Sequence, residues 1–71
     1  MEGYGFMKEA DKSRYDGGFK KDKKHGYGVF KMVDGRRYEG WWFEGKQHGL
    51  GQYTHKDGVV KHGIWKNGVR I

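Results

Sequence analysis

The chain has 71 residues, 17% of them aromatic, with fourteen glycines, no proline, no cysteine and a formal net charge of +6. That length allows one domain, and a domain so small buries roughly 60% of the surface its unfolded chain exposes. Without cysteine there are no disulfides or thiolate metal sites, no apolar run approaches the ~20 residues that cross a bilayer, and Met1-Glu2-Gly3-Tyr4 has no signal-peptide pattern, so a soluble, cytoplasmic protein is expected.

The chain repeats itself every 23 residues. Residues 2–14 read as a partial copy, with Glu2-Gly3-Tyr4-Gly5 aligning with His25-Gly26-Tyr27-Gly28 and His48-Gly49-Leu50-Gly51. Lys12 stands in the slot of Gly35 and Gly58, so this first turn is degenerate. Residues 15–37 and 38–60 are full units, and 61–71 open a third in which Lys61 replaces Tyr15 and Tyr38. A fixed period of this length marks an array of one supersecondary unit, so residues 1–71 are expected to form a single repeat array. Asn67-Gly68 is a strong signal for a two-residue hairpin turn, and Lys21-Asp22 and Glu44-Gly45 occupy its slot in the earlier units. Asp34-Gly35 and Asp57-Gly58 mark a second class of turn between units. Residues alternate in character between the turns, which predicts strands, and no helical stripe is present.

Parity then constrains the turns. Side chains switch face at every strand residue and 23 is odd, so one turn per unit must carry an odd count. Val33-Asp34-Gly35 and Lys56-Asp57-Gly58 suit that role, as type I turns with the glycine left-handed in a bulge. One face then carries the rings Tyr15, Phe19, Phe30, Tyr38, Trp42, Tyr53 and Trp65 among glycines. Tyr38 is expected opposite Gly51, and Tyr15 opposite Gly28, so that rings lie where no side chain blocks them. The same register sets His48 against Trp41 and His25 against Gly18. The predicted fold is all-β, a single-layer antiparallel meander of repeated β-hairpins.

Tyr38-x-Gly40-x-Trp42-x-x-Gly45-x-x-His48-Gly49-x-Gly51-x-Tyr53, with Asp57-Gly58, resembles the MORN (membrane occupation and recognition nexus) repeat. Tyr15-x-Gly17-x-Phe19, His25-Gly26-x-Gly28-x-Phe30 and Asp34-Gly35 match it again, and Asp22 stands where that family has glycine. The resemblance implies an elongated row of hairpins serving as a scaffold or adaptor within a longer chain. It implies settings at the cytoskeleton, in cilia or at the inner membrane surface, and beside kinase or methyltransferase domains whose regulation such a module could serve. Partners it implies are an extended peptide or protein segment, anionic phospholipid, or a second copy in a homodimer.

The four histidines and the scattered carboxylates lack the spacing of a metal site, and the lone Ser13 has no nucleophile-base partner. No catalytic residue, metal or cofactor is expected. Gly3-Tyr4-Gly5-Phe6 and Gly26-Tyr27-Gly28-Val29-Phe30 look like RNA-stacking strands, but the period already accounts for them and ring-over-glycine packing consumes the rings, so nucleic acid is not expected. Lys20, Lys21, Lys23 and Lys24, with Arg36 and Arg37 beyond the next turn, are candidates for an anionic contact. Tyr27, Trp41, Phe43 and Leu50 fall on the face away from the ring-glycine stack. Large apolar groups that a single-layer sheet cannot cover point to a binding partner, and these four are the candidate partner-binding residues.

Overall fold

The computed structural model describes residues 3–71; the reading of Glu2 in the histidine slot lies outside them. The chain forms seven antiparallel strands, β1 (Gly3–Lys8), β2 (Arg14–Lys20), β3 (Lys23–Lys31), β4 (Arg37–Phe43), β5 (Lys46–Thr54), β6 (Val60–Lys66) and β7 (Val69–Arg70). They lie side by side in chain order within one open sheet, the predicted single-layer meander.

Two turn types alternate, as the parity argument requires. The short turns hold both central residues at positive φ: Lys21 and Asp22 (52° and 63°), Glu44 and Gly45 (50° and 85°), Asn67 and Gly68 (51° and 85°). That is the type I′ geometry whose twist suits a hairpin. The long turns carry the expected bulge. Met32 N–H donates to the Arg36 carbonyl at 2.8 Å and Gly35 N–H to the Met32 carbonyl at 3.1 Å, while Gly35 sits at φ 100°. Asp34 Oδ1 accepts from Arg36 N–H at 3.1 Å. His55–Val59 repeats the pattern, and so does Glu9–Ser13, where Lys12 takes the glycine position at φ 73°. The first turn therefore keeps its form despite the lysine.

The register within each hairpin differs from the expected one by two residues. Tyr15 pairs with Phe30, and Tyr38 with Tyr53. Near its tip each hairpin follows the expected register, with Phe19 opposite Lys24 and Trp42 opposite Gln47, and it then shifts between Gly17 and Phe19 and between Gly40 and Trp42. The extra residues lie at His25-Gly26 and His48-Gly49, whose glycines adopt φ 82° and 99°. Trp41 and His48 are thus not cross-strand partners. A shift of two leaves every side chain on its own face, so alternation cannot reveal it.

The shift also aligns the glycines. Gly5, Gly17, Gly28, Gly40, Gly51 and Gly63 face one another in succession across six strands, and the tyrosine rings lie diagonally over this row. A Cβ built on Gly28 would collide with the Tyr15 ring, and one on Gly51 would sit 2.7 Å from Tyr38 Cε1. Ring-over-glycine packing therefore holds, although the residues concerned are diagonal rather than opposite. Tyr15 and Tyr38 are fully buried, and Phe19, Trp42 and Trp65 nearly so. They run as one chain of edge-to-face rings: Phe19–Tyr15 at 5.2 Å, Tyr15–Trp42 at 5.3 Å, Trp42–Tyr38 at 5.2 Å and Tyr38–Trp65 at 4.9 Å. Such pairs stabilise by ~0.5–1.5 kcal/mol beyond their buried area. The Tyr15 hydroxyl donates to the Gly18 carbonyl at 2.9 Å, and that of Tyr38 to the Trp41 carbonyl at 3.2 Å. Trp42 Nε1–H donates to the Gly28 carbonyl at 3.3 Å.

These features predict opposite effects from two small substitutions. Gly51→Ala forces the Tyr38 ring off its seat and should cost about 1–3 kcal/mol, the range of an overpacked core. Lys12→Gly removes a left-handed lysine and should gain ~0.5–1 kcal/mol. Urea unfolding of each variant checks both. Burial pushes the Tyr15 and Tyr38 hydroxyls up to about 12. The neutral form is the one that fits, so this stability is full below pH 10 and drains away as pH rises toward 12. Circular dichroism followed against tyrosinate absorbance should show the sheet and both buried phenols lost together in that window.

Candidate functional site

The sheet face opposite the rings collects the unburied apolar side chains. Tyr27 on β3 stands directly opposite Trp41 on β4, the two rings packing edge to face at 5.5 Å. Leu50 on β5 stands opposite Ile64 on β6 and immediately precedes Gly51, the partner of Gly40, so it continues the Tyr27–Trp41 row across the sheet. Tyr27 is 39% exposed, Trp41 49% and Leu50 66%. Phe43 lies one step toward the hairpin tips, with the His25 ring 5.4 Å away on one side and the His48 ring 5.7 Å away on the other. The two repeat-equivalent histidines thus hold one phenylalanine between them. All four predicted partner-binding residues share this face.

Sequence reasoning left Ile64 out of the set. The signal was available, since Ile64 occupies the slot of Trp41 one period later. His25 was likewise treated as a slot alone, yet with Phe43 it lines a hollow of about 160 Å³. Lys20, Lys21, Lys23 and Glu44 complete that hollow, which opens between the tips of the first two hairpins. A second hollow, between the next two tips, is lined by Lys23, Phe43, Glu44, Lys46 and Asn67.

The structure divides the predicted basic residues. Lys20 and Lys23 face each other at the first hairpin, with Lys21 between them at the tip. Lys24 points to the ring face, where its Nζ lies 5.5 Å from the Tyr15 ring centroid, 5.4 Å from Phe30 and 5.6 Å from Trp42, and 3.4 Å from Glu9 Oε1. It caps the ring core and is not grouped with its three neighbours. Arg36 is held by Asp34 at 2.8 Å, and Arg37 by Glu39 at 2.8 Å. Glu39 also accepts from the Tyr27 hydroxyl at 2.9 Å. That bond, and then Arg37, hold the Glu39 carboxyl below the usual carboxylate range, while Glu39 pushes the Tyr27 hydroxyl up.

Among the described residues, no three His, Asp or Glu side chains are gathered to hold a metal ion, and no helix is long and apolar enough to cross a membrane. The sequence model of the MORN repeat matches residues 15–36 and 38–60, more than half of the chain. The chain belongs to the MORN-repeat family. MORN repeats form a non-catalytic family whose members generally serve as binding and repeat modules. No curated protein sequence matches the chain.

The two MORN faces predict different penalties. Trp42→Ser opens the buried ring chain and should cost about 3–5 kcal/mol. Trp41→Ser, its neighbour on the other face, loses a half-exposed ring and one edge-to-face contact, about 1 kcal/mol. Thermal melts of the two variants should separate them clearly.

Proposed function

We propose that this MORN array is a protein-protein scaffold or adaptor that captures an extended segment of another protein on the face bearing Trp41. The observation that carries this reading is the apolar row of Tyr27, Trp41, Leu50 and Ile64. Its rings are braced by one another and still half open, although the same sheet buries Tyr15, Phe19, Tyr38, Trp42 and Trp65 on its opposite face. Tryptophan and tyrosine are favoured interface anchors, since they bury large area at little rotamer cost. In this reading Phe43, flanked by His25 and His48, extends the row toward the hairpin tips. The double variant Trp41→Ser/Phe43→Ser should keep its circular dichroism spectrum and melt cooperatively, yet lose the partners that the unaltered array retains from extract. Retention of the same partners by the double variant would discard this face as the site.

A second reading has its own observation. Lys20, Lys21 and Lys23 line one hollow, with Glu44 on its far side, which fits peripheral binding to anionic phospholipid, each basic residue adding ~1 kcal/mol near such a surface. In sedimentation with liposomes, binding to anionic vesicles should fall sharply on reversing the three lysines to glutamate. Equal binding to neutral vesicles would remove this reading.

A further inference from the structure

The borders of the apolar row carry an arrangement that the sheet alone does not explain. On one side Lys8, Arg14, Lys31 and Arg37 face one another in succession across β1 to β4. On the other side Lys20 faces Lys23 at the first hairpin. Like charges placed directly opposite in a ladder destabilise it. Only part of this charge is neutralised within the chain, by Asp16 on Arg14 and Glu39 on Arg37. Among the described residues Lys8 and Lys31 take part in no ion pair.

The spacing across the sheet is equally specific. Neighbouring strands lie ~4.8 Å apart, so equivalent slots of successive repeats are ~9.6 Å apart. An extended chain advances ~3.1–3.3 Å per residue. A segment crossing the strands therefore meets one repeat per ~3 residues. The hollows between hairpin tips recur on the same step, first between Lys21 and Glu44 and then between Glu44 and Asn67. Six strands at this spacing span ~24 Å, which takes roughly seven such residues.

From these features we infer that the segment captured on the Trp41 face is acidic and extended as a polyproline II helix, whose three residues per turn set an apolar anchor at every third residue with carboxylates between the anchors. The inference rests on the scaffold reading and names its partner's chemistry. Successive anchors meet slots one repeat apart, Tyr27 with Leu50 or Trp41 with Ile64, and its carboxylates reach Lys20 and Lys23 on one border and Lys31 on the other. A bilayer is the poorer occupant. Tyr27 and Trp41 are braced edge to face and form walls rather than prongs that could enter acyl chains.

The test is selection of random twelve-residue peptides displayed on phage against the immobilised array. Selected peptides should be rich in Asp and Glu, with apolar residues three apart. Synthetic copies should bind at least tenfold more weakly to Lys20→Glu/Lys23→Glu and to Trp41→Ser/Phe43→Ser, and more weakly as salt is raised. Peptides that need Trp41 and Phe43 but are neutral or basic, or lack the three-residue spacing, overturn the acidic segment and leave the scaffold reading standing. If no peptide is selected, or those selected ignore Trp41 and Phe43, both readings fall. Displacement of bound peptide by anionic vesicles but not neutral ones assigns the face to lipid and overturns the inference. Self-association of the array in light scattering, abolished by Trp41→Ser, assigns it to a second copy with the same consequence.

Discussion

Everything in this sheet depends on the seating of tyrosine rings over a row of glycines. A single-layer sheet has no second layer to bury its side chains, and a chain this short has little apolar mass to spare. Here the missing second layer is supplied by the sheet's own rings. Gly17, Gly28, Gly40 and Gly51 pair across the strands and leave a bare strip on which Tyr15 and Tyr38 lie flat enough to be fully buried. Once down, each tyrosine presents its edges to the rings beside it, so Phe19, Trp42 and Trp65 are buried against tyrosine rather than against another sheet. The glycines pay an entropic penalty in a strand, and the ring that each admits offsets it. The absence of proline follows from the same layout, because interior strands need every N–H for the ladder.

The His-Gly pairs make that seating reachable. Without the two extra residues on β3 and β5, Tyr15 and Tyr38 would face Gly28 and Gly51 directly across the hairpin, with no diagonal offset along which the ring could extend. The shift moves each glycine two places along, to where the outstretched ring lands. Bulges also increase the local right-handed twist, and they lie at the same level in successive hairpins. The tips are tied to the preceding hairpin as well. Gly45 N–H donates to the Lys24 carbonyl and Gly68 N–H to the Gln47 carbonyl, each at 2.9 Å, so that a turn of one unit closes on a strand of the unit before it.

How much of this could be read in the sequence follows from what alternation encodes. The period, the strand count per repeat and the bulged turns at Asp34-Gly35 and Asp57-Gly58 were legible, because an odd period forces an odd turn. The sorting of Tyr15, Phe19, Tyr38, Trp42 and Trp65 onto one face followed for the same reason. The register was not legible, since a shift of two changes pairing without changing face. Lys24 shows a different limit. It sits between two lysines of a visibly basic run, and composition groups it with them. Its parity with Gly26, Gly28 and Phe30 already assigned it to the ring face, and there it caps three rings while Lys20 and Lys23 turn outward. On the face away from the rings, Trp41 and Phe43 stood out in the sequence because nothing in the fold used them, whereas Ile64 was not singled out because an isolated isoleucine carries no such surprise.

The two faces also differ in how strictly they keep the repeat. On the ring face, the slot of Phe19 is filled by Trp42 and then Trp65, and the slots of Gly17 and Gly28 are filled by glycine in each unit. On the other face, the slot of Gly18 becomes Trp41 and then Ile64, the slot of Tyr27 becomes Leu50, and the slot of Lys20 becomes Phe43 and then Lys66. A fold made from identical seats has to hold those seats constant within the array, because each ring packs on its neighbours, and the tyrosine slot departs only in the last unit, at Lys61. The outward slots touch fewer neighbours and are free to differ from one hairpin to the next. On the proposed scaffold reading, a partner crossing the strands would meet a different side chain at each step of an otherwise regular lattice. On that reading regularity would set the spacing of its anchors and variation would set which anchor fits where, so selectivity would belong to the outward slots while the inward ones carry the fold.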